Sequence, residues 1–298
     1  MCILFWTVDN HPRYRFIFAA NRDEFLDRPT AHAHFWPTPH EDILAGTDLE
    51  AQATPLHNGT WLGITRSGRF SALTNYREQK FLGGKSRGAL TRDYLFHENG
   101  SAHDYMENIK ANAKAYGGFN LICLDLTKER QSHEMAYFSN RENSDITDLS
   151  PGVIYGLSNS VLGNPWEKVK QGKKAFDEII QRNLNDEEAL IDQLFGLLSV
   201  TADPPPSSDQ DVSQILEEVK HWIFVPKFEY LHGAYATRTS TVILVDHDGN
   251  TTFIERDRFQ KRPQNHTAKE EDEVLEKYIP LDEKGRVFRF NIDDPSRR

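Results

Sequence analysis

Apolar runs separated by polar turns divide this chain into pairs of strands and pairs of helices. The first pair predicts a hairpin, because the β-prone runs Cys2–Val8 and Tyr14–Ala20 flank a turn rich in Asp, Asn and Pro. Further β-prone runs predict strands at Thr60–Thr65, Arg69–Asn75, Phe119–Leu126, Glu134–Ser139, Val153–Asn159, Tyr235–Asp246 and Thr251–Arg256, and an edge strand at Val287–Ile292.

Helical periodicity predicts two pairs of helices between these strands. They cover Arg87–His97, Ser101–Ala115, Pro165–Asn183 and Asp186–Val200. Residues 25–50 are expected to form a loop, 202–212 a linker and 260–277 a charged peripheral stretch, whereas 213–232 follows no clear period. Strand pairs that alternate with helix pairs predict an α+β fold of antiparallel sheets covered by helices, and not a parallel βαβ fold.

Composition places the chain among ordinary globular proteins and argues against several functional classes. Its 298 residues, of which 38% are hydrophobic and 27% charged, suffice for a single domain, with an expected core at about 1–258 and a peripheral tail at 259–298. The net charge of −10 argues against binding to nucleic acids or anionic membranes, which attract clustered Lys and Arg. No apolar run reaches the ~18 residues that cross a bilayer, so we expect a cytoplasmic protein, with association at the Golgi or mitochondria left open.

Cys2 is the strongest candidate for catalysis, because Met aminopeptidases remove Met1 when the second residue is small. Cys2 would then carry a thiol nucleophile and an α-amine, whose ordinary pKa of about 7.7–8.0 suits it to accept the thiol proton. If the turn is centred on residues 10–11, the residue numbers of two paired positions add up to about 21. Cys2 would then lie beside Ala19 or Ala20. Alternatively, Met1 is retained and Cys2 is an ordinary buried strand residue.

A nucleophile of this kind needs support from charged and amide groups. Asp23 can orient the amine, and Arg22 can favour the thiolate or the substrate carbonyl. Asn75 and Asn159 stand at strand ends and can hold an oxyanion, while Arg238 offers a second cation on a late strand. In the alternative interpretation, the charged residues form a solvated turn and the asparagines cap loops. The two cysteines have no zinc-binding spacing, so no metal is expected.

A set of short motifs runs in unbroken order from Met1 to about Arg256: Cys2-Ile3, Ala20–Phe25, Arg28-Pro29, Gly59–Ile64, Leu73–Tyr76, Gly118–Leu121, Tyr155–Asn159, Pro165-Trp166 and Thr237–Asp246. This set resembles the transport and Golgi organisation protein 2 family, also called the NRDE family. The resemblance implies an N-terminal-nucleophile (Ntn) hydrolase-like αββα sandwich. More distantly, the pattern is similar to the choloylglycine hydrolase and penicillin V acylase group.

The distant resemblance implies roles for individual residues. The positions that match that group's nucleophile, oxyanion donors and late arginine are Cys2, Asn75, Asn159 and Arg238. That group spaces its Arg and Asp three positions apart, whereas Arg22 and Asp23 are adjacent here. Because adjacent strand residues face opposite ways, the resemblance leaves open which residue of Asn21–Glu24 faces Cys2.

The family resemblance implies cellular roles in Golgi organisation and secretion, lipid and acyl-coenzyme A homeostasis, and haem trafficking. Two functions follow as hypotheses. The first is a hydrolase that cleaves an amide or thioester of a small acylated molecule and needs no cofactor. The second is a carrier that binds haem or acyl-coenzyme A in the same pocket without chemistry. Since Cys2 precedes Ile3 and Cys123 precedes Leu124, no Cys-Pro haem motif exists, and haem would need a His ligand or a hydrophobic groove.

Overall fold

The computed structural model describes residues 2–50, 58–78, 84–97, 100–127, 134–141, 145–182, 186–201, 211–230, 233–262, 277–281 and 285–293. Its strands are β1 Cys2–Val8, β2 Tyr14–Phe25, β3 Thr30–Phe35, β4 Ile43–Asp48, β5 Leu62–Thr65, β6 Arg69–Asn75, β7 Phe119–Asp125, β8 Met135–Ser139, β9 Thr147–Asp148, β10 Tyr155–Leu157, β11 Phe228–Tyr230, β12 Gly233–Asp246, β13 Asn250–Asp257, β14 Phe259–Lys261, β15 Tyr278–Pro280 and β16 Arg286–Asn291. Its helices are α1 Gly88–Phe96, α2 Ala102–Lys110, α3 Glu167–Gln181, α4 Glu187–Leu198 and α5 Val212–Glu218.

Two seven-stranded sheets form the body of the protein. The first sheet has the strand order β10-β1-β2-β12-β13-β16, with β11 paired to β12 as well. The second sheet follows chain order from β3 to β9, and β14 and β15 make a separate ribbon. All pairings between the strands named above are antiparallel, as the alternation of strand pairs and helix pairs predicts.

Side chains from both faces of each sheet are buried, which produces four layers. On β1, Leu4 and Trp6 pack between the two sheets, while Ile3 and Phe5 pack against α3 and α4. The outer face of the second sheet is covered by α1 and α2 in the same way. The layers run helix, sheet, sheet, helix, so the predicted α+β fold of the αββα type is confirmed.

Helix α3 lies unusually close to the first sheet. A Cβ atom added at Gly172 would stand 2.2 Å from Cζ of Phe5, and one at Gly156 would stand 2.6 Å from Cγ of Lys173. Glycine at both positions therefore lets the helix backbone rest almost directly on β1 and β10. As a result, side chains in the first turn of α3 reach the end of the sheet where the chain begins.

Several element predictions were wrong in their extent. Residues 25–50 do not form a loop, because they contain β3 and β4, whose Ala, His, Gly and Asp have low β-propensity and are held by pairing in the sheet. Strand β2 continues five residues beyond the predicted end at Ala20, to Phe25. The helix predicted to reach Ala115 ends at Lys110 and is followed by a 3-10 turn.

The last third of the chain agrees more closely with the predictions. The edge strand expected at Val287–Ile292 is β16, and the segment without a clear period contains α5 and β11. Residues 202–210 of the expected linker and 263–276 of the charged stretch lie outside the described residues. None of the helices in the described part of the chain combines the length and apolar character that crossing a membrane needs.

Candidate active site

The hairpin register places Cys2 opposite Arg22. The predicted partners, Ala19 or Ala20, are therefore wrong by two or three positions. The reason is the connection, which is not a two-residue turn but spans the five residues 9–13. Within it, Asp9 adopts a positive φ of 50° and donates its backbone N–H to the carbonyl of Arg15 at 2.8 Å.

This register decides which charged residue shares a face with Cys2. Arg22 lies with Cys2 on the face between the sheets, where its guanidinium stacks 4.1 Å from the centre of the Trp61 ring. It also lies 3.6 Å from the carboxylate of Glu24. Asn21 faces the helices instead, and its Nδ2 donates to the carbonyls of Leu198 and Ile223.

Asn159 and its neighbour hold the backbone of Cys2. Oδ1 of Asn159 accepts a hydrogen bond from the backbone N of Cys2 at 3.0 Å, and Oγ of Ser158 donates to the carbonyl of Cys2 at 2.6 Å. Nδ2 of Asn159 donates to the carbonyl of Asn75 at 2.7 Å. Asn159 thus contacts both Cys2 and the backbone of Asn75 in the second sheet, although the two predicted asparagines are 84 residues apart in the chain.

A buried polar network supports the segment that carries Asn159. Nδ2 of Asn120 donates to Oγ1 of Thr74 and to the carbonyl of Ser160, at 3.0 Å each. The hydroxyl of Tyr137 donates to Oδ1 of Asn120 at 2.9 Å, and Oγ1 of Thr74 donates to the carbonyl of Ser158. Since buried polar groups are stable only when they are paired, this network holds the strand end that carries Asn159 in one position.

Asp23 lies on the helix side of the first sheet, directly behind Cys2. Oγ1 of Thr237 donates to Oδ1 of Asp23 at 2.6 Å, and the hydroxyl of Tyr235 donates to the Asp23 carbonyl at 2.9 Å. Burial raises the pKa of the Asp23 carboxyl, and the charge of Lys168 in the first turn of α3 opposes that rise. A hydroxyl therefore binds the carboxylate, and the charge of a buried lysine favours its ionised form.

The ionisation of Cys2 depends on several of these groups. Burial raises the pKa of the Cys2 thiol, and the charge of Asp23 raises it further. The positive charge of the N-terminal amine, the charge of Arg22 and a backbone hydrogen bond from Asp23 act in the opposite direction. Because the net effect is a raised pKa, the thiol needs a proton acceptor to become a nucleophile near neutral pH.

The hydrogen bonds of Arg238 go to backbone carbonyls at and beyond the end of β2. Arg238 is the extra residue of a bulge in β12, between Thr237, which pairs with Asp23, and Thr239, which pairs with Arg22. Its guanidinium donates to the carbonyls of Phe25 and Arg28, and burial and the nearby charge of Arg22 lower its pKa. Its expected role toward the thiolate or the substrate stays a prediction.

A pocket opens where Asn75 and Asn159 meet. Its volume is about 610 Å³, and the exposed side chain of Asn75 lies at its wall. The other residues that line it are Tyr76, Arg77, Glu78, Ser160, Trp166, Leu216, Glu217, Lys220, Tyr230 and Tyr235. Aromatic rings and charges of both signs thus surround a space large enough for a small polar or acylated ligand.

Two residues of the site were missed by sequence reasoning. Ser158 directly precedes Asn159, and the strand-end motif that identified Asn159 contained it as well. Lys168 lies on the buried stripe of α3, because it comes four residues before Gly172 and eight before Phe176, both of which are buried. A lysine in the buried stripe of an amphipathic helix was the signal that could have identified it.

One group of side chains resembles a metal site but is already occupied by a cation of the protein. His32, Glu255 and Asp257 bring their ligand atoms within 4.8 Å of one another. The guanidinium of Arg286, however, lies 2.9 Å from both carboxylates. Because the arginine neutralises the two acids, this cluster is best described as an ion-pair network.

Comparison with known proteins identifies the family. Residues 1–260 match the family model described as Transport and Golgi organisation 2. The Transport and Golgi organization protein 2 homolog of Bos taurus is 37% identical over 274 residues, which are 88% of this chain and 95% of that protein. The Homo sapiens homolog is 36% identical over 270 residues (88% and 94%), and the Drosophila melanogaster protein 30% over 265 residues (86% and 91%).

Solved structures offer only weaker likenesses. An N-acylethanolamine-hydrolyzing acid amidase ortholog from Caenorhabditis elegans has a TM-score of 0.43 and 13% identity, covering 82% of this chain and 92% of that one. Penicillin V acylase from Agrobacterium tumefaciens has a TM-score of 0.38 and 13% identity, covering 98% and 88%. At these scores they add nothing on chemistry, and the αββα architecture follows from the layers described above. The relatives and the family model agree with the predicted family, and the chain belongs to the Transport and Golgi organisation 2 family.

Proposed function

We propose that this protein is a cysteine hydrolase of the Ntn type, which cleaves an amide or thioester of a small acylated molecule. The observation that carries the proposal is the hydrogen bond of 3.0 Å between the backbone N of Cys2 and Oδ1 of Asn159. After removal of Met1 this nitrogen is the α-amine of Cys2, so a fixed side chain would hold the catalytic base next to its own thiol.

The proposed reaction has two stages. The α-amine takes the proton of the Cys2 thiol, and Sγ attacks the acyl carbonyl to form a tetrahedral oxyanion, which Asn75 and Asn159 stabilise by hydrogen bonds. Collapse of this intermediate forms an acyl-thioester on Cys2, and the leaving amine or thiol takes the proton. A water molecule then attacks the thioester, which releases the acid and restores the thiol. Asp23 orients the amine, and Arg22 and Arg238 supply positive charge near the reacting atoms.

Turnover and Met1 removal can be tested together. We would purify the protein from its native cells, determine its intact mass, and assay it on a panel of acyl-amides and acyl-thioesters. The proposal expects a chain that begins at Cys2, turnover of at least one substrate, and loss of that turnover in Cys2→Ala with the fold intact. Cys123→Ala is the matched control, because that thiol is fully buried in β7. Equal activity in Cys2→Ala and wild type would refute the proposal.

A second function is favoured by the ionisation of Cys2. A chain that keeps Met1 has no free α-amine on Cys2 itself, and burial raises the pKa of the thiol, so the sulfur is poorly activated. The pocket of about 610 Å³ that Asn75 and Asn159 line would then serve a carrier that binds haem or acyl-coenzyme A without chemistry. This function predicts stoichiometric, reversible binding that survives Cys2→Ala. No binding of haem or of an acyl-coenzyme A by calorimetry or spectral titration would reject it.

Either function, hydrolase or carrier, is compatible with the cellular roles that the family name suggests. The relatives are named for transport and Golgi organisation, and we propose that this protein acts in the cytoplasm in support of Golgi organisation and secretion. Hydrolysis of an acylated molecule would connect it to lipid homeostasis. Localisation by microscopy together with lipid profiling of cells that lack the protein tests this proposal.

A further inference from the structure

Lys168 is in an environment that normally excludes lysine. Its side chain is fully buried, and its Nζ has no hydrogen-bond acceptor among the described residues. It also stands in the first turn of α3, where the helix dipole disfavours a positive charge. Burial, missing hydrogen bonds and the dipole all oppose an ammonium group here, so a compensating interaction is required.

The charged groups near Lys168 belong to the candidate active site. Asp23 and Cys2 are the groups that favour its charged form, and Arg77 is the cation that opposes it. The ring centre of Trp166 lies 5.7 Å from Nζ. Asp23 in turn interacts with Lys168, the N-terminal amine, Thr237 and Glu24, and the Tyr235 hydroxyl donates to its backbone carbonyl. Asp23 is thus the main anion facing Lys168, and Lys168 and the N-terminal amine are the cations that favour the charge of Asp23.

The backbone around Lys168 is held by a hydrogen bond and by a close helix–sheet contact. The N–H of Lys168 donates to the carbonyl of Lys220 at 3.1 Å, and Gly172, one turn later, lies against Phe5 of β1. The lysine is therefore held behind the sheet, opposite the end of β1 that carries Cys2.

We propose that Lys168 is a positioning residue for the Cys2 nucleophile, whose buried ammonium group keeps the Asp23 carboxylate charged so that Asp23 can orient the Cys2 amine. This inference rests on the proposed hydrolase function. Burial pushes the pKa of Asp23 up and the pKa of Lys168 down, and each charge opposes the shift of the other. Without Lys168 the pKa of the Asp23 carboxyl would rise further, and at neutral pH less of it would carry the charge that attracts the amine.

The first test reads the protonation of Asp23 directly and does not involve Cys2 chemistry. We would record infrared spectra at neutral pH for wild type, Lys168→Met, the double variant Asp23→Asn/Lys168→Met, and the control Lys174→Met, which removes an exposed lysine from the same helix. A protonated-carboxyl band is expected in Lys168→Met only. Its absence there, or its persistence in the double variant, would overturn the inference.

Folding of the variants supplies a second, independent readout. If the two charges compensate each other, Lys168→Met leaves an unpaired buried acid, and removing both charges should be less damaging. We therefore expect a higher urea midpoint for the double variant than for Lys168→Met. If the urea midpoint of the double variant falls by the sum of the decreases in Asp23→Asn and Lys168→Met, the pairing is overturned. This readout applies even if Lys168→Met is too unstable for spectroscopy.

The third test connects the pair to Cys2. p-Nitrophenyl acetate is the probe: the acetyl group passes to Sγ, and p-nitrophenolate leaves. In Lys168→Met we expect at least a tenfold slower acylation at neutral pH and an acid limb of the rate–pH profile moved to higher pH, with Lys168→Arg closer to wild type. The double variant should be as slow as Asp23→Asn alone. An unshifted acid limb would reduce Lys168 to a structural role. No acylation of wild type would refute the hydrolase instead, while the infrared result still decides the pairing.

Discussion

Asn159 joins the start of the chain to the second sheet through one amide group. Its Oδ1 accepts the N–H of Cys2 at 3.0 Å, while its Nδ2 donates to the carbonyl of Asn75 at 2.7 Å. The amide is almost fully buried, and these bonds use both of its ends. It therefore fixes the nucleophile candidate relative to the pocket.

Removal of this amide should be costly. In Asn159→Ala the N–H of Cys2 and the carbonyl of Asn75 lose their partners, and we expect a loss of about 1–3 kcal/mol in the free energy of unfolding. Urea denaturation measures it. Asn164→Ala, which removes an exposed amide five residues later, should change stability by less than about 0.5 kcal/mol. Equal midpoints for the two variants would contradict the bridging role.

The charge of Arg22 should affect the reactivity of Cys2. Because this charge lowers the pKa of the thiol, Arg22→Met should raise that pKa and slow the labelling of Cys2 by iodoacetamide at every pH below the new value. Intact-mass kinetics measure the rate. Arg13→Met removes a half-exposed arginine and should leave the rate unchanged. Faster labelling in Arg22→Met would show that another group sets the thiolate fraction.

The contact between α3 and β1 should tolerate no methyl group. Gly172→Ala places a Cβ 2.2 Å from Cζ of Phe5, and we expect a loss of about 1–3 kcal/mol from overpacking. Gly196→Ala is the matched control in α4, since nothing lies within 4 Å of its added Cβ. That variant should gain about 0.5–1 kcal/mol from helix propensity. Thermal unfolding of both proteins tests the contrast, and a stabilised Gly172→Ala would disprove the close approach.

The turn that sets the register of Cys2 should be sensitive to acid. Nδ1 of His11 accepts the N–H groups of Arg13 and Tyr14, so the ring must be neutral, and burial lowers its pKa. In the unfolded chain the ring binds a proton below its ordinary pKa of 6.5, whereas the folded protein resists protonation. Stability from this site is therefore present above pH 6.5 and is lost as the pH falls below it.

His11→Asn should remove part of this pH dependence. Urea midpoints between about pH 7 and pH 5 measure the slope, which depends on the difference in bound protons between the two states. The exposed His221 offers the control, and His221→Asn should keep the slope of wild type. An unchanged slope in His11→Asn would mean that other groups cause the acid sensitivity.

Local sequence patterns were sufficient to predict several parts of this protein. Long β-branched and aromatic runs such as Cys2–Val8 and Phe119–Asp125 identified the central strands, and the periodicity of α3 and α4 identified their helices. The motif set identified the family and directed attention to Cys2 and Asn159, which the structure brings together. Strands with weak propensity, β3 and β4, carried no such signal, because their pairing partners stabilise them.

Other features depend on contacts between distant parts of the chain, and these become visible in the folded protein alone. The five-residue turn held by His11 places Cys2 opposite Arg22. Hydrophobic alternation alone would also allow strand registers that differ by several residues. The close approach of α3, which two glycines allow, buries Lys168 against the first sheet, where the charge of Asp23 acts on it. Register and burial are cooperative properties of packed layers, so the charge environment of Cys2 follows from the fold and not from the residues beside it in sequence.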